Sequence, residues 1–327
     1  MRRREFIIII GGTAVAWPLA ARARRPAMPV IGYLHGQSPD RFPHLMGAFR
    51  QGLNEAGYVE GRNVAIEFFA AEGRTDRLPA LAADLVHRQV ALIVTTGGTA
   101  GALAVKAATT AIPIVFFAGD DPVKLGLVAS LNRPGGNATG VNFFNQMWEG
   151  KRLGLMREMV SAAELIGVLL NPSNANFQTQ LTDIAEAARK LGQQIRVLNA
   201  TNEQDIHAAC RTLSQLRAEA LLIGSDAFFN DRREQLVTLA AHYDIPTIYE
   251  EREFTKLGGL MSYGTNLADA YHQVGLYAGR ILKGEKPAEL PVMQAVKFEF
   301  VINLKTAKAL GLEIPPSVLA RATEVIE

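Results

Sequence analysis

Ala91-Leu92-Ile93-Val94-Thr95-Thr96-Gly97-Gly98-Thr99 decides the fold. Its first five residues are apolar or β-branched without alternation, as in a strand covered on both faces, which is the habit of parallel sheets. The small residues that follow make a tight turn, and Thr99 opens a helix to Lys106. Upstream, Val30–Leu34 reads as a strand, Leu45, Phe49 and Leu53 as the face of a helix stopped by Gly57, and Val64–Phe68 as a second strand. A helix through Leu78, Leu81, Leu85 and Val86 follows. Downstream come strands over Ile112–Phe117 and Val141–Phe144. Strand and helix alternating at this spacing predict a doubly wound parallel α/β sheet.

The pattern then starts again. Leu165–Leu170, Ile195–Leu198, Ala220–Gly224 and Ile245–Tyr249 read as strands, separated by helices through Leu181, Ile184 and Ala188, after Thr201, and through Leu236 and Leu239. Thr201 with Gln204 reads as a capping box. Ile112-Pro113-Ile114-Val115 and Ile245-Pro246-Thr247-Ile248 each put proline at a strand's first position, where a missing N–H does no harm. The tail holds a strand at Leu260–Tyr263, an amphipathic helix over Asn266–Leu282, a β-prone stretch over Leu290–Ile302 and a last helix from Lys305 to Leu310. It is too short for a third domain. The chain is expected to form two lobes, 29–141 plus 263–289 and 144–261 plus 291–327. Three crossings between them make a hinge.

The first 23 residues stand apart. Arg2, Arg3 and Arg4 precede an apolar run from Ile7 to Ala16, and Ala21-Arg22-Ala23 has small residues at alternate positions. This is the pattern of a cleaved export signal over residues 1–23, and Arg3-Arg4-Glu5-Phe6 is similar to a twin-arginine signal. The apolar run is about ten residues, too short to cross a bilayer. The chain has 34 basic and 32 acidic residues; without the four arginines and one glutamate of 1–23 the balance is 30 to 31. A near-neutral mature chain gives no electrostatic pull towards nucleic acid, and no later stretch is apolar enough to span a membrane. The single cysteine, Cys210, shares a helical phase with Ile206 and Leu213 and reads as core.

Enzyme signatures are missing. The six histidines have no H-E-x-x-H spacing, a second cysteine for zinc is lacking, and neither G-x-S-x-G nor G-x-x-x-x-G-K-[ST] occurs. No cofactor or metal is expected. Two blocks, Gly119-Asp120-Asp121-Pro122-Val123-Lys124-Leu125-Gly126-Leu127-Val128 and Asn132-Arg133-Pro134-Gly135-Gly136-Asn137-Ala138-Thr139-Gly140-Val141, together with Asn171-Pro172-Ser173-Asn174, Ser262-Tyr263-Gly264 and Val301-Ile302-Asn303-Leu304-Lys305-Thr306-Ala307, resemble the periplasmic substrate-binding components of ABC transporters. The resemblance runs from Pro29 to Glu327 and is to the family that includes tryptophan-type amino-acid binders. It implies a type I periplasmic-binding fold, no catalysis, a periplasmic monomer and delivery of a small ligand to permease subunits. Asp120-Asp121 departs from it by doubling one acid, leaving open which of the two faces the cleft. A periplasmic sensor presenting ligand to a membrane receptor is the alternative.

In open parallel sheets ligands sit beyond the carboxyl ends of strands, which singles out candidates with a plainer reading beside each. Thr96, Gly97 and Thr99 offer free N–H groups and a helix dipole to a carboxylate, or are an ordinary capped turn. Asp120 could meet an ammonium; Asp121-Pro122 could simply start a helix. His35 ends the first strand and is equally a structural histidine. In the second half Asn171 and Asn174 are turn formers or contacts, and Asp226 and Glu250 could converge on a cation. Phe117 and Tyr263 could stack on a flat ligand, Tyr263 serving equally as hinge packing, and Asn142 and Asn145 fall between the lobes. The expected ligand is an amino acid or similar zwitterion: carboxylate at Thr96–Thr99, ammonium near Asp226 or Glu250, side chain against Phe117 or Tyr263.

Overall fold

The computed structural model describes residues 28–36, 42–143, 148–174 and 176–327. The export signal over 1–23, Phe144 and Asn145 lie outside the described residues.

The first half runs β1 (Val30–His35), α1 (Pro43–Glu55), β2 (Ala65–Ala70), α2 (Leu78–His87), β3 (Leu92–Thr95), α3 (Thr99–Ala108), β4 (Ile114–Ala118) and β5 (Ala138–Asn142). All of β3 is buried, as its unalternating apolar run demands. Leu92 and Val94 pack on one face of the sheet with α1, whereas Ile93 packs on the other with α2 and α3. Pro113 and Pro246 stand just ahead of their strands, each lending only its carbonyl, to Ile93 and Leu221 respectively.

The second half adds α4 (Glu149–Met159), β6 (Leu165–Leu170), α5 (Phe177–Leu191), β7 (Gln194–Asn199), α6 (Glu203–Gln215), β8 (Ala220–Ile223), α7 (Ala227–Asp231), α8 (Arg233–His242), β9 (Thr247–Tyr249), α9 (Arg252–Lys256) and β10 (Met261–Thr265). The tail supplies α10 (Leu267–Leu282), β11 (Met293–Gln294), β12 (Phe298–Asn303), α11 (Leu304–Ala309), α12 (Pro316–Leu319) and β13 (Glu324–Ile326). The α6 cap differs from the expected Thr201–Gln204 box. Asn202 is the N-cap and accepts from the Asp205 N–H, while Asp205 reaches back to the N–H and hydroxyl of Thr201. An amide at the cap and a carboxylate three residues on satisfy the same orphan donors one residue later.

Two sheets result. The first is parallel throughout, in the order β11-β5-β4-β3-β1-β2; the second is β13-β12-β10-β9-β8-β6-β7, parallel except for the β10–β12 pair. Each sheet is covered on both faces, with one apolar cluster per face. This is the expected α/β architecture of two doubly wound lobes.

The lobe boundaries fall a few residues from where the sequence put them. Tyr263 was expected to open the return to the first lobe. Instead β10 continues to Thr265, held by antiparallel pairing along β12, Tyr263 opposite Phe300. The chain leaves the second sheet at Asn266, which caps α10 by accepting from the Asp269 N–H. Residues 291–294 were assigned to the second lobe, yet Met293 and Gln294 pair with Val141 and Asn142 in the first sheet. The connecting strands are tied to one another: the Ala295 N–H donates to Asn142 O at 2.8 Å and the Asn266 N–H to Lys297 O at 2.9 Å.

Candidate functional site

Parallel strands aim their C-terminal ends the same way, so the loops after β1, β3, β4 and β5 share one edge of the first sheet. There the structure gathers His35, Thr96, Gly97, Thr99, Phe117, Asp120 and Asn142. The hydroxyls of Tyr33 and Thr96 hydrogen-bond at 2.7 Å, and His35 Nε2 lies 3.3 Å from the Tyr271 hydroxyl, with the Phe42 ring 4.1 Å from the imidazole. Gly97 has φ +103°, and a Cβ there would fall 2.5 Å from His35 Nε2; only glycine lets this turn pass under the ring. Phe117 stacks on Phe143 at 4.4 Å and meets Tyr271 edge-on at 5.7 Å.

The two acids after β4 separate cleanly. Asp121 Oδ1 accepts from the N–H groups of Val123 and Lys124 and so caps the following turn. Asp120 is buried: its Oδ2 accepts from the Thr99 hydroxyl, its carbonyl accepts from the Asn142 amide, and its Oδ1 has no partner among the described residues. Thr99 thus holds Asp120 at the start of α3.

The matching edge of the second sheet is built from the loops after β6, β8 and β9 and from the first turn of α4. Asp226 caps α7, accepting from the Phe228 and Phe229 N–H groups, and also takes amide protons from Asn171 at 3.1 Å and Asn174 at 2.6 Å. Both its oxygens are therefore engaged within the lobe. Asn171 and Asn174 in turn accept from the N–H groups of Ser173 and Asn176, the turn-forming role weighed for them. Burial raises the Asp226 pKa against those hydrogen bonds. Tyr263 is half-buried in β10, between the rings of Trp148 (6.0 Å) and Phe300 (6.1 Å), so it packs where the connections run.

Several residues of this wall were not anticipated. Arg152 and Glu149 are fully buried, with Arg152 Nη2 donating to Glu149 Oε1 and to Ser225 Oγ, both at 2.7 Å. Burial raises the Glu250 pKa, and the nearby Arg152 charge opposes that. Glu251 accepts from the Asn230 amide at 2.7 Å, and burial followed by repulsion from Glu250 pushes its pKa up to about 8. Tyr271, from α10, is the meeting point of the two walls. Burial raises its phenol pKa, and the negative charge of Glu251 reaches it from the other lobe and adds to the rise. A further link between the lobes is His44 Nε2 to Glu253 Oε1, 3.1 Å, from α1 to α9.

An aromatic face opposed by carboxylates across two hinged sheets suits capture of a small molecule. A sequence profile for the family described as ABC transporter substrate binding protein matches residues 36–326. The chain belongs to that family. Its members are solute-binding proteins, not enzymes. Among relatives, the chain is 28% identical over 265 residues to a tyrosine-binding protein of Clostridioides difficile (strain R20291), covering 81% of this chain and 76% of that one. The structure is similar to that of a Streptococcus pneumonia ABC domain in complex with L-Trp, with TM-score 0.82, 27% identity and coverage of 91% and 99%. Against the ligand-free, open structure of a substrate-binding protein with adhesive properties from Clostridium difficile, the TM-score is 0.68 at 25% identity and the same coverage. Among the described residues, no helix is long and apolar enough to cross a membrane.

Proposed function

We propose that this chain is the exported solute-binding component of an ABC importer, which closes over an aromatic amino acid and presents the closed form to a membrane permease. The observation that carries the ligand class is the aromatic cluster of Phe117, Phe143 and Tyr271, which the charge of Glu251 reaches from the second sheet. Rings of this kind favour a flat apolar side chain through burial and edge or stacked contacts. Carboxylates that burial makes costly to ionise gain from an ammonium. The tyrosine- and tryptophan-binding relatives support the same class. Residues 29–142 with 266–294, and residues 148–265 with 298–327, would form two lobes, meeting at the three connections and moving as hinged bodies, with the ligand favouring closure because it touches both walls. A periplasmic monomer after removal of residues 1–23 completes the reading.

Calorimetry tests it. Protein refolded after denaturation to strip cargo is titrated with the twenty amino acids and a set of sugars. Tyrosine, tryptophan or phenylalanine should bind at micromolar Kd or better. Phe117→Ala should weaken that binding by about tenfold or more, the effect of losing a buried ring contact. Binding of a sugar and of no amino acid would dismiss the proposal.

A further inference from the structure

We propose that the site holds the polar end of its ligand by the ammonium rather than by the carboxylate, so that decarboxylated aromatic amines are ligands alongside the amino acids; this rests on the aromatic amino-acid reading above.

The expected seat for a ligand carboxylate was the start of α3. A carboxylate of the protein already stands there. The Thr99 hydroxyl is spent on Asp120 Oδ2, and Asp120 is only 3% exposed. The positive end of the helix dipole is matched by that charge, and a second carboxylate beside it would meet its like at short range. Asp120 Oδ1, buried and without a partner among the described residues, is an acceptor that an ammonium would satisfy.

The opposite wall repeats the bias. Arg152, a fully buried cation of that wall, pairs with Glu149 at 2.7 Å, and its charge also reaches Glu250. Its Nε and Nη1 make no hydrogen bond, but its single charge is shared by two carboxylates, and a third would be in excess. Glu149 Oε2 is likewise buried without a partner among the described residues, and Glu251 adds another acid beside Glu250. Both walls therefore present carboxylate acceptors that an ammonium would satisfy, and on the second wall burial makes Glu251 costly to ionise without one despite the charge of Arg233. A cation entering between them is favoured from either side, whereas a carboxylate has to point to solvent.

The test is a ligand series on the wild-type mature chain stripped of cargo. L-tyrosine and L-tryptophan are compared by calorimetry with tyramine and tryptamine, and with 3-(4-hydroxyphenyl)propanoate and indole-3-propanoate. Loss of a solvated carboxylate should cost about fivefold or less in Kd. Loss of a desolvated, paired ammonium should cost about thirtyfold or more. Asp120→Asn and Glu251→Gln, with melting temperatures measured alongside to verify folding, should each narrow the gap between the amine and the carboxylate analogue. Amino-acid binding with no detectable amine binding would overturn the inference and leave the proposed function standing. So would a carboxylate analogue that binds as tightly as the amino acid. Failure of all three aromatic amino acids would instead overturn the proposed function.

Discussion

Gly52 lies in α1 where that helix crosses α10, the helix that carries Tyr271 into the site. A Cβ added there would sit 2.0 Å from the His272 carbonyl oxygen and 3.0 Å from the Leu276 nitrogen. Comfortable contact needs about 3.5 Å, so Gly52→Ala has to drive the helices apart by roughly 1 Å or more. The obstructing atoms are backbone and cannot rotate aside. Overpacking of this kind costs about 1–3 kcal/mol, and rigid backbone puts it at the upper end. Alanine returns about 1 kcal/mol of helix propensity, leaving a net loss of about 2 kcal/mol. Gly47, five residues earlier on the same helix, is exposed and its Cβ would meet nothing within 4 Å. Gly47→Ala should therefore gain about 0.5–1 kcal/mol. Urea titration followed by circular dichroism should show the two midpoints moving in opposite directions with unchanged slope. In melting temperature, the Gly52 variant should fall by about 4–8 °C for a lobe of this size. Two variants of equal stability, or a Gly52 variant at least as stable as the parent, would refute the close crossing. Because His272 adjoins Tyr271, the Gly52 variant should also bind ligand more weakly.

Other outcomes follow from the same structure. Native Glu251 keeps its proton up to about pH 8, whereas an unfolded glutamate releases it near its ordinary value, so the native state binds more protons in between and loses stability as pH rises. Glu251→Gln removes that loss, and its melting temperature should gain on the parent between pH 5 and 8; a constant gap would contradict it. The His44–Glu253 pair is partly exposed and spans the lobes; Glu253→Gln should weaken ligand binding by about two- to fivefold and enlarge the radius of gyration by small-angle scattering, and an unaltered scattering curve would remove its role in closure. Burial raises the Cys210 thiol pKa to about 11. It should resist a thiol reagent in the native protein and react fully only in denaturant; rapid native labelling would show that α6 is not packed as described.

The strands were legible because sheets covered on both faces write apolar runs with no period to confuse. Leu165–Leu170 was read to the residue. The helix α4 was not anticipated. Its buried face carries Glu149 and Arg152, whose charges neutralise each other inside the lobe, and glycines interrupt the rest. A buried ion pair therefore looks, residue by residue, like a solvated surface, and the hints were a Glu–x–x–Arg spacing and the Leu153, Met156, Met159 periodicity. In the site, strand-end logic placed His35, Thr96, Phe117 and Asp120 on one edge. It could not tell that Asp226 spends both oxygens on its own loop, since that depends on Asn171 and Asn174 folding back. Nor could it find Tyr271, which lies within a helix whose apolar spacing reads as core and reaches the cleft only because the chain returns to the first lobe.

The division of the site between lobes bears on how closure is controlled. On the proposed reading the aromatic face, whose rings all pack in the first lobe, would contribute to affinity in open and closed forms alike. Interactions equal in both forms shift nothing between them. On that reading the carboxylates of the second wall are different, because closure would bury Glu251 near Tyr271, where burial and Glu250 outweigh the Arg233 charge and make ionisation costly. On the proposed reading, an ammonium removes that cost only in the closed form, and so supplies the differential free energy that an aromatic ring cannot. Ligands that keep the ring and lose the amine should then separate the two effects. They should still occupy the first lobe, weakly, while scattering reports the open form. Closure by such a neutral ring would show that the acids of the second wall do not govern the hinge.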